Sequence, residues 1–516
     1  MFSSDPNLPN YRRPEVGLYE SDLELIHDLI GGTRVMHAKA NKYIKKWKDE
    51  DRSIYNHRKT IEEVFEGLPR TLSAAVGMVF AKPPQVTWNK AEATLRPLYD
   101  NIDGEGTAWH VFAKQFTERA LRDGLGVLLT DHPAPPKDPE TGEPVLIHGG
   151  NEVELNMRSH WTAYPRGSVM NWDHAVINNQ RVLAFLALYE PAEESEGLYG
   201  VKLVHKYRHL RIVDGEATWT LFKHVEVDGK DTFPPEATGT FRNSAGEAAD
   251  FLPVSIAYAG RKVDPLVADI PFSGVAYANL GHLRQSTNLR FYREVAAFPQ
   301  PTVTGRLQSQ MAGGKTIAGS LKVGPMVVVT LEQGGTFAYT ELEGKSLDQI
   351  EKGVTEKLKQ MAQMGVSFLF GDKRAAETAE AKRLDATAEN ATLSTAAQGI
   401  EDALNLASEH FCWFMGIEKA DAPVIQLSRD FEGIEMTPDE MRAWGELFEK
   451  GMPAWVMLEK MQQGGKIGPD KDIEAIQDEM MVKAKAAEDQ KILEEEERAR
   501  MLAEGRPPMP PAREAA

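Results

Sequence analysis

The middle third of the chain, from Leu266 to Gly416, places the tightest limits on what it can fold into. Apolar spacing predicts an amphipathic helix over Phe272–Val295, a Gly-rich β segment over Pro299–Gly344 and a second helix over Leu347–Met364. A short segment, Phe368-Leu-Phe-Gly-Asp-Lys-Arg374, leads from there into a long Ala-rich helix, Ala375–Met415. That helix carries Leu393, Ala397, Ile400, Leu404, Ala407, Phe411 and Phe414 as one stripe. Alanine on the stripe permits close packing, including against a neighbouring subunit. Two helices flanking a compact β insertion suit assembly, and they leave no obvious place for covalent chemistry.

The rest of the chain reads as a mixed α+β body. Helices are predicted over Glu20–Ile30, with Ser21 as cap and Glu24 completing a capping box, and over Trp109–Asp123, closed by Gly124. A longer helical pattern over Ser53–Lys82 should kink or divide at Pro69. Gly126–Thr130 reads as an apolar strand and His132–Gly150 as a surface loop. Strands follow over Val182–Tyr189, Val201–Tyr207, Leu210–Val213 and Thr218–Val225, with hairpin turns at Asp214-Gly215 and Asp228-Gly229. Beyond a short strand at Pro423–Leu427, Thr437-Pro-Asp-Glu440 starts a new helix. A last helix runs from Asp470 to about Ala503, its acidic residues about twice as many as its basic ones. Its apolar stripe is thin (Ile473, Ile476, Met480, Ile492, Leu493), so it either frays in solvent or bundles with copies of itself.

A chain of 516 residues with 42% hydrophobic and 26% charged residues is ordinary for folded protein. The formal charge of −18 argues against a surface that grips nucleic acid by neutralising phosphates. It allows simple solubility, or a surface that DNA slides past. Cys412 is the one cysteine and sits in the run Phe411-Cys-Trp-Phe-Met415, which predicts a core residue and no intramolecular disulfide. The polar stretch Met1–Arg13 lacks a signal-peptide core, and the longest apolar run, Pro325–Leu331, is too short for a bilayer. The expectation is a soluble chain, in the cytoplasm when made.

Sequences that suggest chemistry fail on inspection. Gly313-Gly-Lys-Thr316 resembles a phosphate loop, but the glycine required at 309 is Ser309 and Gly319 interrupts the helix that should follow. His205 and His209 have a zinc-like spacing in a strand-like setting without a Glu or Cys partner. Asp103, Asp123 and Asp131 are isolated carboxylates near turns. No catalytic residue, metal ligand or cofactor is assigned. Phe370, Asp372, Lys373 and Arg374 admit two readings. Either the aromatics are core and the charges cap a helix, or the loop tip touches a passing polymer. Lys352, Lys357 and Lys359 on the preceding helix are plain solvated lysines on a monomer, and rings of positive charge if the subunit repeats around an axis.

The order of elements, with several phrases, resembles the portal proteins of tailed bacteriophages. The phrases are the run from Leu68-Pro-Arg-Thr-Leu72 to Lys82-Pro-Pro84, Asp123-Gly-Leu-Gly-Val-Leu-Leu-Thr-Asp131, Ala376-Glu-Thr-Ala-Glu380, Asn390-Ala-Thr-Leu393 and Ser428-Arg-Asp-Phe431. They look like a portal group known as a domain of unknown function in phage and prophage genomes. The likeness covers roughly residues 10 to 435. It implies a homo-oligomeric ring of about twelve copies, a dodecamer, at one vertex of the capsid, with double-stranded DNA passing through its centre. The implied parts are an α+β wing (1–265), stem helices (266–298 and 345–365), a clip (299–344) and a tunnel loop (366–376) holding Phe370, Asp372, Lys373 and Arg374. A long helix returns to the wing (377–431), and a helical crown, with a possible barrel, takes up 432–516. Lys352, Lys357 and Lys359 would line the stem. The implied partners are a terminase, a head–tail adaptor, and the major capsid and scaffolding proteins, with no membrane and no ATPase activity of the chain's own.

Overall fold

The computed structural model describes residues 2–133, 145, 157–177, 179–297, 300–304, 310–312, 315–317, 334–340, 345–361, 364 and 379–428, with isolated positions beyond (442, 453, 455–458, 473, 476–478, 481–482, 485, 493 and 500). The fold is α+β. The chain forms two compact units, Met1–Arg429 and Asp430–Ala516. Among the described residues no helix is long and apolar enough to cross a membrane.

The first unit begins with helices α1 (Glu20–Ile30), α2 (Gly32–Ala38), α3 (Ala40–Tyr43), α4 (Arg52–Arg58), α5 (Gly67–Val79), α6 (Glu92–Tyr99) and α7 (Trp109–Asp123). α1 has the predicted bounds, but Ser21 does not cap it. The residue before the helix is Tyr19, reached through a 3-10 turn, and no side chain bonds the first amides. Glu24 instead pairs with Lys39, at the joint between α2 and α3, and with Lys42 on α3. Division of the Ser53–Lys82 pattern falls between Arg58 and Gly67, ahead of Pro69. Pro69 lies in the first turn of α5, where a missing N–H costs nothing. Leu72, Ala75, Val76 and Val79 are buried as their spacing predicts.

The strands are β1 (Gln85–Thr87), β2 (Leu125–Asp131), β3 (His160–Pro165), β4 (Val169–Ile177), β5 (Gln180–Tyr189), β6 (Ala192–Glu196), β7 (Gly200–Val204), β8 (Lys206–Val213), β9 (Glu216–Lys223), β10 (Val225–Val227), β11 (Lys230–Thr232), β12 (Pro235–Thr240), β13 (Val254–Tyr258), β14 (Lys262–Asp264) and β15 (Val267–Ala268). One sheet has the order β12-β9-β8-β5-β4 and a second β13-β2-β3. Both predicted turns are present. Val213 pairs with Glu216 and Val227 with Lys230, and Asp214, Gly215, Asp228 and Gly229 all have positive φ, as a two-residue hairpin of this kind requires. The predicted strand Val201–Tyr207 is broken at His205, and its last two residues join Leu210–Val213 in β8.

Buried on both faces, β2 reads in sequence as an unbroken apolar run. Leu125, Val127 and Leu129 face a core shared with Trp172, Leu186, Leu188 and Leu210 of the five-stranded sheet. On the other face Gly126 abuts Phe116 of α7, and the Thr130 hydroxyl donates to the Ala407 carbonyl at 3.3 Å. Ala407 belongs to the long helix α10 (Ala379–Phe414), reached through α8 (Ser273–Ala297) and α9 (Lys345–Met361). The apolar stripe of α10 thus serves this chain's own body: Ala397, Ile400, Leu404, Ala407, Phe411 and Phe414 are buried, as is Cys412. A β-carbon on Gly399 would stand 2.4 Å from the Tyr258 carbonyl oxygen of β13, so only glycine lets the helix lie this close. Gly399→Val is expected to cost about 2–3 kcal/mol by forcing α10 off the sheet. An unchanged thermal midpoint would remove this account of the contact.

Candidate functional site

Helices α8 and α9 pack side by side. Gly274 closes on Met364, Gly281 on Lys357 and Gly353 on Gln285, each so near that a β-carbon at the glycine would stand 3.2–3.3 Å from the facing side chain. The steps along α8 and α9 match residue for residue, so the helices run antiparallel without slip. Past them, β16 (Gln300–Thr304) pairs with β19 (Thr336–Thr340), Gln300 opposite Thr340 and Thr304 opposite Thr336. Between those strands β17 (Gln310–Ala312) pairs with β18 (Lys315–Ile317), Ala312 opposite Lys315. Lys315 and Thr316 therefore lie in a strand of a tight hairpin. Their amides do not converge at the start of a helix, as a phosphate loop needs.

The base of this limb is fixed to the N-terminal helices along most of α8. Buried Asn279 accepts from the Leu68 amide at 3.0 Å and donates to the Phe65 carbonyl at 2.9 Å. Arg284 donates to the Tyr43 carbonyl at 2.8 Å, and His57 meets Glu294 at 2.8 Å. Arg58, 1% exposed, bonds both oxygens of Glu50, reaches Asn288 at 3.2 Å, and lies 3.8 Å above the Trp47 ring, which stacks on Tyr292. Gly67, at the start of α5, faces Asn279 and Met361 with no space for a side chain. Arg293 crosses between the limb helices to Glu351 at 3.0 Å.

On α9 one face is inward: Ile350, Gly353, Val354, Lys357, Leu358 and Met361 are half-buried or buried. Lys357 is on that side, its stem lying across Gly281 and its amine donating to Gln360 at 2.8 Å. Lys352 and Lys359 are exposed on the opposite face, seven residues apart, with no ion-pair partner among the described residues. Two turns separate them, about 10 Å along the axis. Asp348 and Glu356 share their face, so it carries sparse cations among acids. The loop residues Phe370, Asp372, Lys373 and Arg374 lie outside the described residues.

The groups that drew attention as possible catalysts have structural partners. Asp103 accepts from the Glu105 and Thr107 amides in a turn. Asp131 pairs with Arg208 at 2.9 Å. Asp123 is buried; burial alone would raise its pKa, but hydrogen bonds from Arg122 and His27 outweigh that and hold it below the usual carboxylate range. His205 shares a hydrogen bond with Tyr189 and His209 one with the Pro9 carbonyl, and burial lowers the proton affinity of both. The two histidines thus face different partners and do not converge on one point.

A family model described as Domain of unknown function (DUF4055) matches residues 271–415, which span the limb and α10. No curated protein matches the chain. Among solved structures it is similar to the neck of an empty GTA particle computed with C6 symmetry, at 12% identity, covering 92% of this chain and 99% of that one with a TM-score of 0.36. A chain from the virion of the native gene transfer agent (GTA) particle matches at 11% identity, 84% and 98% coverage and a TM-score of 0.36. The neck of the native GTA particle computed with C12 symmetry matches at 11%, 74% and 84%, with a TM-score of 0.33.

Proposed function

We propose that the chain is the subunit of a phage portal, a ring at one capsid vertex through which double-stranded DNA is packaged and later ejected. The observation that carries this reading is the limb: an antiparallel helix pair continued by strand hairpins, rooted in an α+β body, with lysines on its exposed ridge that have no ion-pair partner among the described residues. In a monomer such a ridge has no evident use. Repeated about an axis, Lys352 and Lys359 become two tiers of positive charge on an otherwise acidic wall. That arrangement touches phosphate without holding it tightly. In this reading residues 1–265 form the wing, α8 and α9 the stem, 299–344 the clip that docks a terminase and then a head–tail adaptor, and 366–376 the tunnel loop. The chain supplies no catalysis of its own, and packaging energy comes from the terminase. A nucleotide hydrolase is the weaker reading, because Lys315 and Thr316 sit in a strand.

Native mass spectrometry and negative-stain imaging of the purified protein test this. A ring with a central hole is expected; a monomer that turns over nucleotide would overturn it. Within an assembled ring, Lys352→Ala with Lys359→Ala is expected to leave the oligomer intact. The slope of log affinity for duplex against log salt should fall by about 0.9 for each lysine that contacts phosphate. Lys373→Ala with Arg374→Ala is expected to spare the ring and lower the yield of packaged DNA. An unaltered yield would remove the tunnel-loop assignment.

A further inference from the structure

Charge is spread unevenly along this chain. From Arg34 to Lys59 there are nine Lys and Arg against three Asp and Glu, in a chain whose formal net charge is −18. Some of these cations are committed: Lys39 and Lys42 pair with acids of α1, and Arg58 is buried on Glu50. Lys45, Lys46, Lys48 and Arg52 are exposed and have no ion-pair partner among the described residues. Of the three acids, Glu50 is held by Arg58 and Asp51 accepts from the Ser53 amide at 2.7 Å, which leaves Asp49 beside the lysines.

Direct bonds bring further cations to the same stretch. The Tyr55 hydroxyl of α4 donates to the Ile44 carbonyl at 2.8 Å, and the Lys59 amine at the end of α4 donates to the Asn41 side chain at 3.1 Å. From α8, the Nε of Arg284 donates to the Tyr43 carbonyl at 2.8 Å, and the residue stays exposed. Two cationic heads from other helices thus stand against residues 41–43, next to Lys45 and Lys46. The backbone beneath is fixed. Arg58 holds the Lys45 carbonyl at 2.8 Å, the Trp47 amide donates to Glu50 at 2.9 Å, and Asp49 makes the turn with a φ of +59°. Tyr43 and Ile44 are buried, and the Trp47 ring lies against Arg58 and Tyr292, so this segment offers solvent charge and little apolar surface.

We propose that Lys45, Lys46 and Lys48, with Lys59 and Arg284 beside them, form a contact for the phosphate backbone of duplex DNA. Lysine heads are compact point charges on flexible stems, and here they stand on a rigid backbone. That suits a polymer whose charges recur about every 3.4 Å of axis on each strand and asks for no exact geometry. A docked protein would instead want an apolar, desolvated centre with charge at its rim, and this segment has the reverse. An acidic surface elsewhere repels the duplex, so a local cationic excess fixes where it touches. The contact belongs to the N-terminal helices and α8, whereas Lys352 and Lys359 belong to α9, so the two sets act separately. It does not depend on the ring reading, because a single chain presents it.

The test is binding of the full chain to a short fluorescent duplex of mixed sequence, between about 50 and 200 mM salt. Lys45→Ala, Lys46→Ala and Lys48→Ala are combined in one variant. Arg58 bonds only the backbone at Lys45, so the fold should hold, checked by an unshifted thermal midpoint and an unchanged oligomer mass. Affinity at the lower salt is expected to fall by about tenfold or more, and the slope of log affinity against log salt to flatten by about 0.9 for each lysine in contact. Arginine at the same three positions should keep both, since charge alone is needed. The loss should be the same in a background of Lys352→Ala with Lys359→Ala. An unchanged slope in the alanine variant overturns the site, as does a wild-type chain that does not bind the duplex at the lower salt. Polyglutamate that binds as tightly as the duplex, and is lost with the same lysines, would make this a surface for an acidic protein and overturn the assignment to DNA. A chain that stays monomeric yet binds duplex through these lysines removes the portal reading and leaves this site standing.

Discussion

Replacing Arg58 by Met is expected to cost about 3–5 kcal/mol of stability, because it strands a carboxylate in the protein interior. The guanidinium meets Glu50 through Nε at 2.7 Å and Nη2 at 2.9 Å, and Nη2 also reaches the Lys45 carbonyl at 2.8 Å. Its plane lies on Trp47, which meets Tyr292 in a stack and Phe291 edge-on. One side chain thereby ties the loop before α4, α4 itself and the outer half of α8 together. Lys in its place keeps the charge but loses the paired fork and the flat stacking surface, so Arg58→Lys should recover less than half of the loss. Arg58→Met combined with Glu50→Gln should recover more than Arg58→Lys, since the stranded charge is then absent. Urea unfolding of the four proteins measures all of this. A wild-type midpoint for Arg58→Met would show that the lock contributes nothing.

None of that lock is visible in the sequence. Arg58 and Asn288 are 230 positions apart, His57 and Glu294 237, and no local period connects them. What the sequence does show is local. The bounds of α1 and α7 follow from apolar spacing and from glycines at their ends, and the hairpin turns follow from Asp-Gly pairs that accept positive φ. The stripe on α10 was legible as a stripe, but its partner was not: periodicity says that a face is buried, and only the topology says against what. Ser21 was misplaced as a cap because a 3-10 turn delivers the chain into α1 already helical. Lys357 was within reach of the same spacing argument. Five residues from Lys352 is about 140° around a helix, so the two cannot share a face, whereas Lys359 at seven residues can. The excursion between α8 and α9 was legible as helix, β segment and helix. Its firm attachment to the body through Asn279 and Arg284 was not.

Lowering the pH from 7 to 5 is expected to remove about 4 kcal/mol of stability through two histidines at the seat of α10 alone, with further losses at His174, His205, His209 and His282, whose proton affinity burial also lowers. His410, on α10, is stacked on Phe251 with its Nδ1 unbonded among the described residues, and burial pulls its pKa down to about 3. His132 lies flat against Phe414 at the end of the same helix, bonded to Ser159 at 3.2 Å, and burial takes it to about 4. Both are neutral when folded and titrate near 6.5 when unfolded. Below 6.5 the unfolded chain therefore binds more protons, and stability, complete above that value, falls until the folded pKa is reached. At pH 5 the gap is about 1.5 units for each histidine, or about 2 kcal/mol apiece. Asp123, whose folded pKa is lowered, adds its own loss only nearer pH 4, so this window belongs to the histidines. His410→Leu should reduce the loss between pH 7 and 5 by about 2 kcal/mol, and His132→Phe should reduce it by a similar amount. Because both rings touch the last turns of α10, amide exchange there should accelerate before the five-stranded sheet loosens. Urea midpoints that stay level from pH 7 to 5 would show that neither ring is held neutral, and that α10 is seated by packing alone.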